Sequence, residues 1–310
     1  MGGNGAGHRT GAGHGVTAEL ASYRRATLIG FAAIVMWGAL ALLTVWSGEV
    51  PPFQLVAMCF AIAFAGALAK WIVNRENPLD HLGHPGPVWL LGVGGLFGYH
   101  FFYFLALRNA PAVEAGLIAY LWPLLIVVFS ALLPGERLRW FHLVGALLGL
   151  GGSALLITGG GSVDFKSEFA LGYGAAAACA LTWSTYSVVS RRFGHVPTDT
   201  VGWFCGAAAV LGLIAHLAFE ETVWPANSGQ WLAVLALGLG PVGLAFFVWD
   251  YGVKRGNIQS LGVFSYAAPL ISTLLLIAFG AADLTWAVAI ACAAIVGGAL
   301  LASKEIILGR

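Results

Sequence analysis

Tyr120-Leu121-Trp122-Pro123-Leu124 lies inside an apolar run, Pro111 to Leu133, that is long enough to cross a bilayer as a helix. A proline in a helix interior removes one backbone hydrogen bond and kinks the chain. A membrane tolerates that only where protein or a water-lined cavity satisfies the freed group. The tyrosine and tryptophan beside the kink lie away from the interfaces where such residues normally gather. A related cassette, Tyr266-Ala267-Ala268-Pro269-Leu270, follows at a constant separation (266 − 120 = 146; 269 − 123 = 146). The two stretches read as matching parts of a repeat, with a site between the halves.

Composition sets the class. The chain has 310 residues, 59% of them apolar and 9% charged, against roughly 25% charged in an ordinary soluble domain. So few charges cannot cover a soluble surface, and the expectation is an all-α integral membrane protein. A net charge of +1 argues against nucleic acid as a partner. Cys59, Cys179, Cys205 and Cys292 fall singly inside apolar runs. They read as small buried hydrophobes rather than metal ligands or a disulfide pair. Residues 1–23 are rich in Gly and His and lack the apolar core of a signal peptide. They read as a flexible tail, with His8 and His14 weighed as metal ligands and set aside.

Hydropathy and turn punctuation divide the rest into ten spans, near 26–46, 53–73, 87–107, 111–133, 140–158, 169–189, 199–219, 230–253, 258–280 and 284–303. With alternating spans, thirteen of the fifteen Lys and Arg fall on the side of the N-terminus, and Arg108 and Lys166 fall on the other. By the positive-inside rule both termini are expected in the cytosol. A shift of 146 also pairs Trp37 with Trp183, Phe101 with Phe247, Arg108 with Lys254 and Trp140 with Trp286. Each half, 24–160 and 161–310, then holds five spans. Five is odd, so the second half enters the membrane from the opposite side, the inverted arrangement that many secondary transporters use to build a midplane site.

The run Ala110-Pro111-Ala112-Val113-Glu114-Ala115-Gly116, the cassette Tyr120 to Leu124, and Pro134-Gly135-Glu136-Arg137-Leu138 before the glycine-rich stretch Leu143–Leu156 resemble the drug/metabolite transporter superfamily, in its EamA-type form. The second half departs from that pattern, with Ala282 and Asp283 where the first has Glu136 and Arg137. The aromatic richness is most similar to the branch that exports aromatic amino acids. The resemblance implies ten transmembrane helices, as two inverted five-helix repeats, around a central cavity lined by spans 1, 3, 4, 6, 8 and 9. It also implies a bacterial cytoplasmic (inner) membrane.

The chemistry on offer is sparse. No Gly-Lys dipeptide occurs, so the chain holds no phosphate-cradling loop for ATP. No His-Glu-x-x-His and no Gly-x-Ser-x-Gly occur either, and neither cofactor nor metal is expected. Gly92-Val93-Gly94-Gly95 has no strand before it and reads as close helix packing. Asp250 lies within a span, four residues before Lys254. It reads either as a proton carrier or ammonium anchor, or as half of a helix-end ion pair. His100, flanked by Tyr99 and Tyr103, reads either as a titratable gate or carboxylate contact, or as a neutral core histidine. Trp46, Trp71, Trp89, Trp140, Trp224, Trp231 and Trp286 stand near span ends as interfacial anchors.

The deeper Trp37, Tyr99, Tyr103, Trp122, Trp183 and Tyr266 need partners for their N–H and O–H groups, so they turn inward, either to pack or to line a cavity. With His100 they are the expected substrate-binding set. Pro123 and Pro269 are the expected bending points, with Asp250 the coupling candidate. Such a cavity suits a ring-bearing solute, but with no deep Lys or Arg it disfavours phosphorylated ones. The expected partner is a small molecule inside a lipid bilayer, and the expected activity is export or facilitated transport of aromatic or neutral amino acids by alternating access. A proton-coupled multidrug exporter of lipophilic cations is the first alternative. An integral-membrane lipid-modifying enzyme, for which no catalytic cluster is visible, is the second.

Overall fold

A computed structural model describes residues 10–280 and 282–304. The described residues form fourteen α-helices and no strand. In chain order they are α1 (Thr10–Gly38), α2 (Leu40–Trp46), α3 (Pro52–Val73), α4 (Gly86–Asn109), α5 (Ala112–Ala119), α6 (Trp122–Ser130), α7 (Trp140–Thr158), α8 (Ala170–Ser190), α9 (Val201–Phe219), α10 (Ser228–Leu239), α11 (Ala245–Arg255), α12 (Ile258–Phe264), α13 (Ala267–Ala278) and α14 (Trp286–Ala302).

Several of these join end to end. Eight stretches among the described residues are long and apolar enough to cross a bilayer: Leu20–Trp46, Pro52–Val73, Gly86–Asn109, Ala112–Ser130, Trp140–Thr158, Thr198–Phe219, Ser228–Arg255 and Ile258–Ala278. Two helices expected as spans fall outside that set. α8 has 21 residues but carries Thr182, Ser184, Thr185, Ser187 and Ser190 along its second half, and α14 is short, at 17 residues. Large apolar side chains such as Leu28, Leu90, Leu171 and Leu217 are exposed, as a lipid-facing surface requires. The expected tail is helical from Thr10 onward, continuous with the first span. The run Thr17-Ala18-Glu19-Leu20-Ala21 contains good helix formers. Residues 1–9, with His8, and the side chain of His14 lie outside the described residues.

The proline breaks arise as their chemistry requires. Pro123 has no N–H to give to the Ala119 carbonyl, and the helix stops at Ala119 and restarts at Trp122. Pro269 does the same between Phe264 and Ala267. Pro241 adds a third break, a π-helical turn over Gly240–Leu244 between α10 and α11.

Packing joins the two halves of the chain. α7 lies along α14, α3 along α9, α4 along α8 and α1 along α11. Under the shift of 146, the pairing of α1 with α11 maps onto that of α8 with α4. Small residues permit the closest crossings: a Cβ on Gly145 of α7 would stand 2.6 Å from the Gly298 carbonyl of α14. Trp71, expected as an interfacial anchor, is instead fully buried and stacked on His81 with ring centroids 4.9 Å apart. Trp46, Trp140, Trp224, Trp231 and Trp286 are exposed as an interfacial position demands.

Gly145 and Gly151 share α7 but differ in surroundings, since nothing lies within 4 Å of a Cβ on Gly151. Gly145→Leu is expected to destabilise the detergent-purified protein by about 1–3 kcal/mol through overpacking, and Gly151→Leu to leave it unchanged. Thermal unfolding followed by tryptophan fluorescence checks both.

Candidate functional site

The broken helices surround a cavity of about 780 Å³. Its inner end is aromatic. Trp37, on α1, stands at the centre, with ring centroids 5.6 Å from Trp183, 5.0 Å from Trp249 and 6.1 Å from Trp122. Phe246 closes the cluster at 5.7 Å from Trp183, and Tyr99 joins it at 5.6 Å. The indole N–H groups of two of these rings are held. Trp37 Nε1 donates to the Pro241 carbonyl at 3.1 Å, in the π-helical turn. Trp249 Nε1 donates to Ser187 Oγ at 3.1 Å. Hydrogen bonds of this kind give the rings fixed orientations, and the edge-to-face contacts of Trp37 with Trp122 and Trp183 are one of the favoured geometries for aromatic pairs.

Trp37, Tyr99, His100, Tyr103, Trp122 and Trp183 all line this cavity, as does Pro269. Tyr99 and Tyr103 stack with parallel planes, 6.2 Å apart, on one face of α4. His100 bonds its Nδ1 to the Leu96 carbonyl at 2.7 Å. A carbonyl only accepts, so Nδ1 carries a proton, and in the neutral form of the ring Nε2 is then an acceptor. Phe60 meets the ring edge-on at 5.4 Å.

Tyr266, expected in the wall, and the gating candidates Pro123 and Asp250 do not line the cavity. Tyr266 is 0% exposed and does not line the cavity; its side chain fills the notch at Gly149 of α7. Its hydroxyl accepts the Leu124 N–H at 3.1 Å, a donor that an unbroken helix would have bonded to Tyr120. The shift of 146 paired Tyr266 with Tyr120, and it is Tyr120 that lines the cavity. Pro123 is buried beside it at the start of α6. Asp250 is 2% exposed and apart from the cavity, with Lys254 Nζ 2.9 Å away and Thr198 Oγ1 donating at 2.7 Å. It forms the helix-end ion pair.

Sequence reasoning passed over Trp249 and Phe246, which a shift in depth of a turn or so separates from the span ends, and it placed Arg108 in a loop. Arg108 ends α4 and belongs to the cavity wall at its mouth, near Thr44, Leu107, Ile157 and Thr273. Among the described residues it is the one charged side chain in that wall. The mouth opens on the side expected to carry Lys166. Toward the other side, beyond the aromatic cluster, polar contacts join the helices. Glu136 pairs with Arg191 at 2.7 Å and accepts from Gln259 Nε2 at 2.9 Å, and Arg191 Nη1 donates to the Val253 and Gly256 carbonyls at 2.9 and 2.7 Å.

Glu76, His81 and Asp199 approach one another closely enough to hold a cation. Lys70 Nζ, however, lies 2.6 Å from Asp199 and 3.8 Å from Glu76 and already supplies the positive charge.

A helical bundle with lipid-facing apolar surfaces and an aromatic cavity open at one end defines a membrane transporter. The model of the EamA-like transporter family matches the chain twice, at residues 24–158 and 170–304. The two matches are offset by 170 − 24 = 146, the same interval that separates Tyr120 from Tyr266. The chain belongs to the EamA-like transporter family. It is 57% identical over 279 residues to a protein of Ancylobacter novellus named aromatic amino acid exporter YddG, covering 90% of this chain and 96% of that one. A protein of the same name from Escherichia coli is 25% identical, covering 90% and 96%. A solved crystal structure superposes with a TM-score of 0.87 at 56% identity, covering 91% of this chain and 98% of the other.

Tyr266→Phe leaves the buried Leu124 N–H without its acceptor and is expected to cost about 1–3 kcal/mol. Tyr120→Phe removes a hydroxyl at the cavity and is expected to leave stability unchanged. A thermal melt of both variants in detergent checks the contrast.

Proposed function

We propose that the chain is a secondary exporter or facilitator of aromatic, zwitterionic amino acids that works by alternating access. The observation that carries this reading is the aromatic inner end of the cavity, lined by Trp37, Trp122, Trp183, Phe246 and Tyr99 with Trp249 packed behind them, at centroid distances of 5.0–6.4 Å. A ring-bearing solute entering it gains edge-to-face contacts worth roughly 0.5–1.5 kcal/mol each. The relatives named as aromatic amino acid exporters agree with it.

In this reading α8 and α14 join the eight more apolar stretches to make ten spans, arranged as two inverted five-helix repeats. Both termini are cytosolic, in a bacterial inner membrane, so the cavity faces outward. The Glu136–Arg191–Gln259 contacts close the cytosolic side, and transport requires them to part. The breaks at Pro123, Pro241 and Pro269 are the bending points, because helix segments on either side of a break move with little loss of backbone hydrogen bonding. The alternative of a lipophilic-cation exporter is disfavoured by the wall of the cavity. Among the described residues no Asp or Glu lines it, and Asp250 is already paired with Lys254.

Uptake of labelled tryptophan or phenylalanine into proteoliposomes, with and without an imposed pH gradient, tests the reading. Saturable uptake is expected, and Trp122→Ala is expected to raise its KM about 2- to 12-fold, the equivalent of roughly 0.5–1.5 kcal/mol from one aromatic contact. No uptake of either amino acid, beside transport of an aromatic cation by the same preparation, would overturn it.

A further inference from the structure

We propose that Arg108 recognises the substrate's carboxylate and thereby sets the preference of the cavity for amino acids over the corresponding amines. This rests on the transport reading above and goes further, by assigning one residue to one substrate group.

The Arg108 side chain is 46% exposed at the cavity mouth. Arg108 stands near the end of α4, one turn beyond Phe104, which also lines the cavity. Its contacts within the protein are few. Nη2 lies 3.4 Å from Glu220 Oε1, and Cζ stands 5.7 Å from the Phe53 ring centroid.

Glu220 does not neutralise it closely, because Glu220 has better partners. Its carboxylate is 3% exposed and accepts the Phe53 N–H at 3.0 Å and the Gln54 N–H at 3.1 Å, with His216 Nδ1 also at 3.1 Å. The first two are free donors of the first turn of α3, where a negative charge is favoured. The Arg108 contact is the longest of the four. An arginine has five N–H donors in a fork that fits a carboxylate bidentately, and most of that fork is unused here.

Lys254, which the shift of 146 matches to Arg108, provides the contrast. It lies on the closed side, 6% exposed, with Asp250 at 2.9 Å and the Val196 carbonyl at 3.1 Å. Lys254 is buried in two close contacts, whereas Arg108 at the open mouth is half exposed with one long contact. With no acid among the described residues of the cavity wall, the group that completes Arg108 is an anionic one carried by the solute.

The test is inhibition of labelled tryptophan uptake into proteoliposomes by unlabelled tryptophan, by tryptamine, which lacks the carboxylate, and by indole-3-propionate, which lacks the ammonium. In the wild type, tryptamine is expected to compete about tenfold or more weakly than tryptophan, the size of a hydrogen bond to a charged group, and indole-3-propionate better than tryptamine. Arg108→Gln is expected to raise the tryptophan KM by a similar factor and to bring tryptophan and tryptamine close to equality; Arg108→Lys should restore part of the difference. Equal competition by tryptophan and tryptamine in the wild type would overturn the proposal even if no variant folds. So would an Arg108→Gln variant that keeps the wild-type ratio. Absence of tryptophan uptake by the wild type would instead count against the transport reading itself.

Discussion

Inside a bilayer no water is available to a broken helix, so each freed backbone donor must be met by protein or by a wet cavity. The bond from the Leu124 N–H to the Tyr266 hydroxyl, 3.1 Å long, is how this chain meets that constraint. It ties the break before Pro123 to the break before Pro269, through two residues 142 apart in sequence. α6 and α12 are thereby held side by side, and Tyr266 wedges against Gly149 of α7. The cavity exists beside this junction because the opposite member of the pair, Tyr120, makes no such wedge and faces the open space.

The same economy governs the charges. The closed side holds its ions in close contacts, Glu136 with Arg191 at 2.7 Å and Asp250 with Lys254 at 2.9 Å. Burial without such partners would be expensive. The open side leaves Arg108 half in solvent, with one long contact to Glu220 at 3.4 Å. A conformation open at the other mouth would have to reverse these roles, loosening Arg191 and Lys254 and covering Arg108. The proline breaks make that exchange mechanically plausible, since the segments on either side of each break are already separate helices.

Much of the site was legible because rare residues at depth have few explanations. Trp37, Tyr99, His100, Tyr103, Trp122 and Trp183 could be picked out as tryptophans, tyrosines and a histidine far from span ends, and all six reach one cavity. Tyr266 was picked by the same reasoning and is buried in the helix junction. A buried phenol is equally well satisfied by a backbone N–H as by a cavity, and sequence does not distinguish the two. Trp71 reversed expectation for a related reason: it lies near a span end, yet it is 0% exposed, as is Trp249, which the sequence did not single out. Depth along a helix was readable, but the direction in which the side chain faces was not.

What the sequence determined by itself is the helical membrane class, the two proline cassettes 146 residues apart and the aromatic character of the interior. These follow from composition, from the length a helix needs to cross hydrocarbon, and from the missing N–H of proline. The tertiary structure alone decided which tyrosine of the matched pair lines the cavity, that Asp250 is locked to Lys254, and that Arg108 stands at the mouth while Glu220 is held by the first turn of α3. Those outcomes depend on contacts between helices distant in the chain, and a one-dimensional pattern carries no measure of which faces meet.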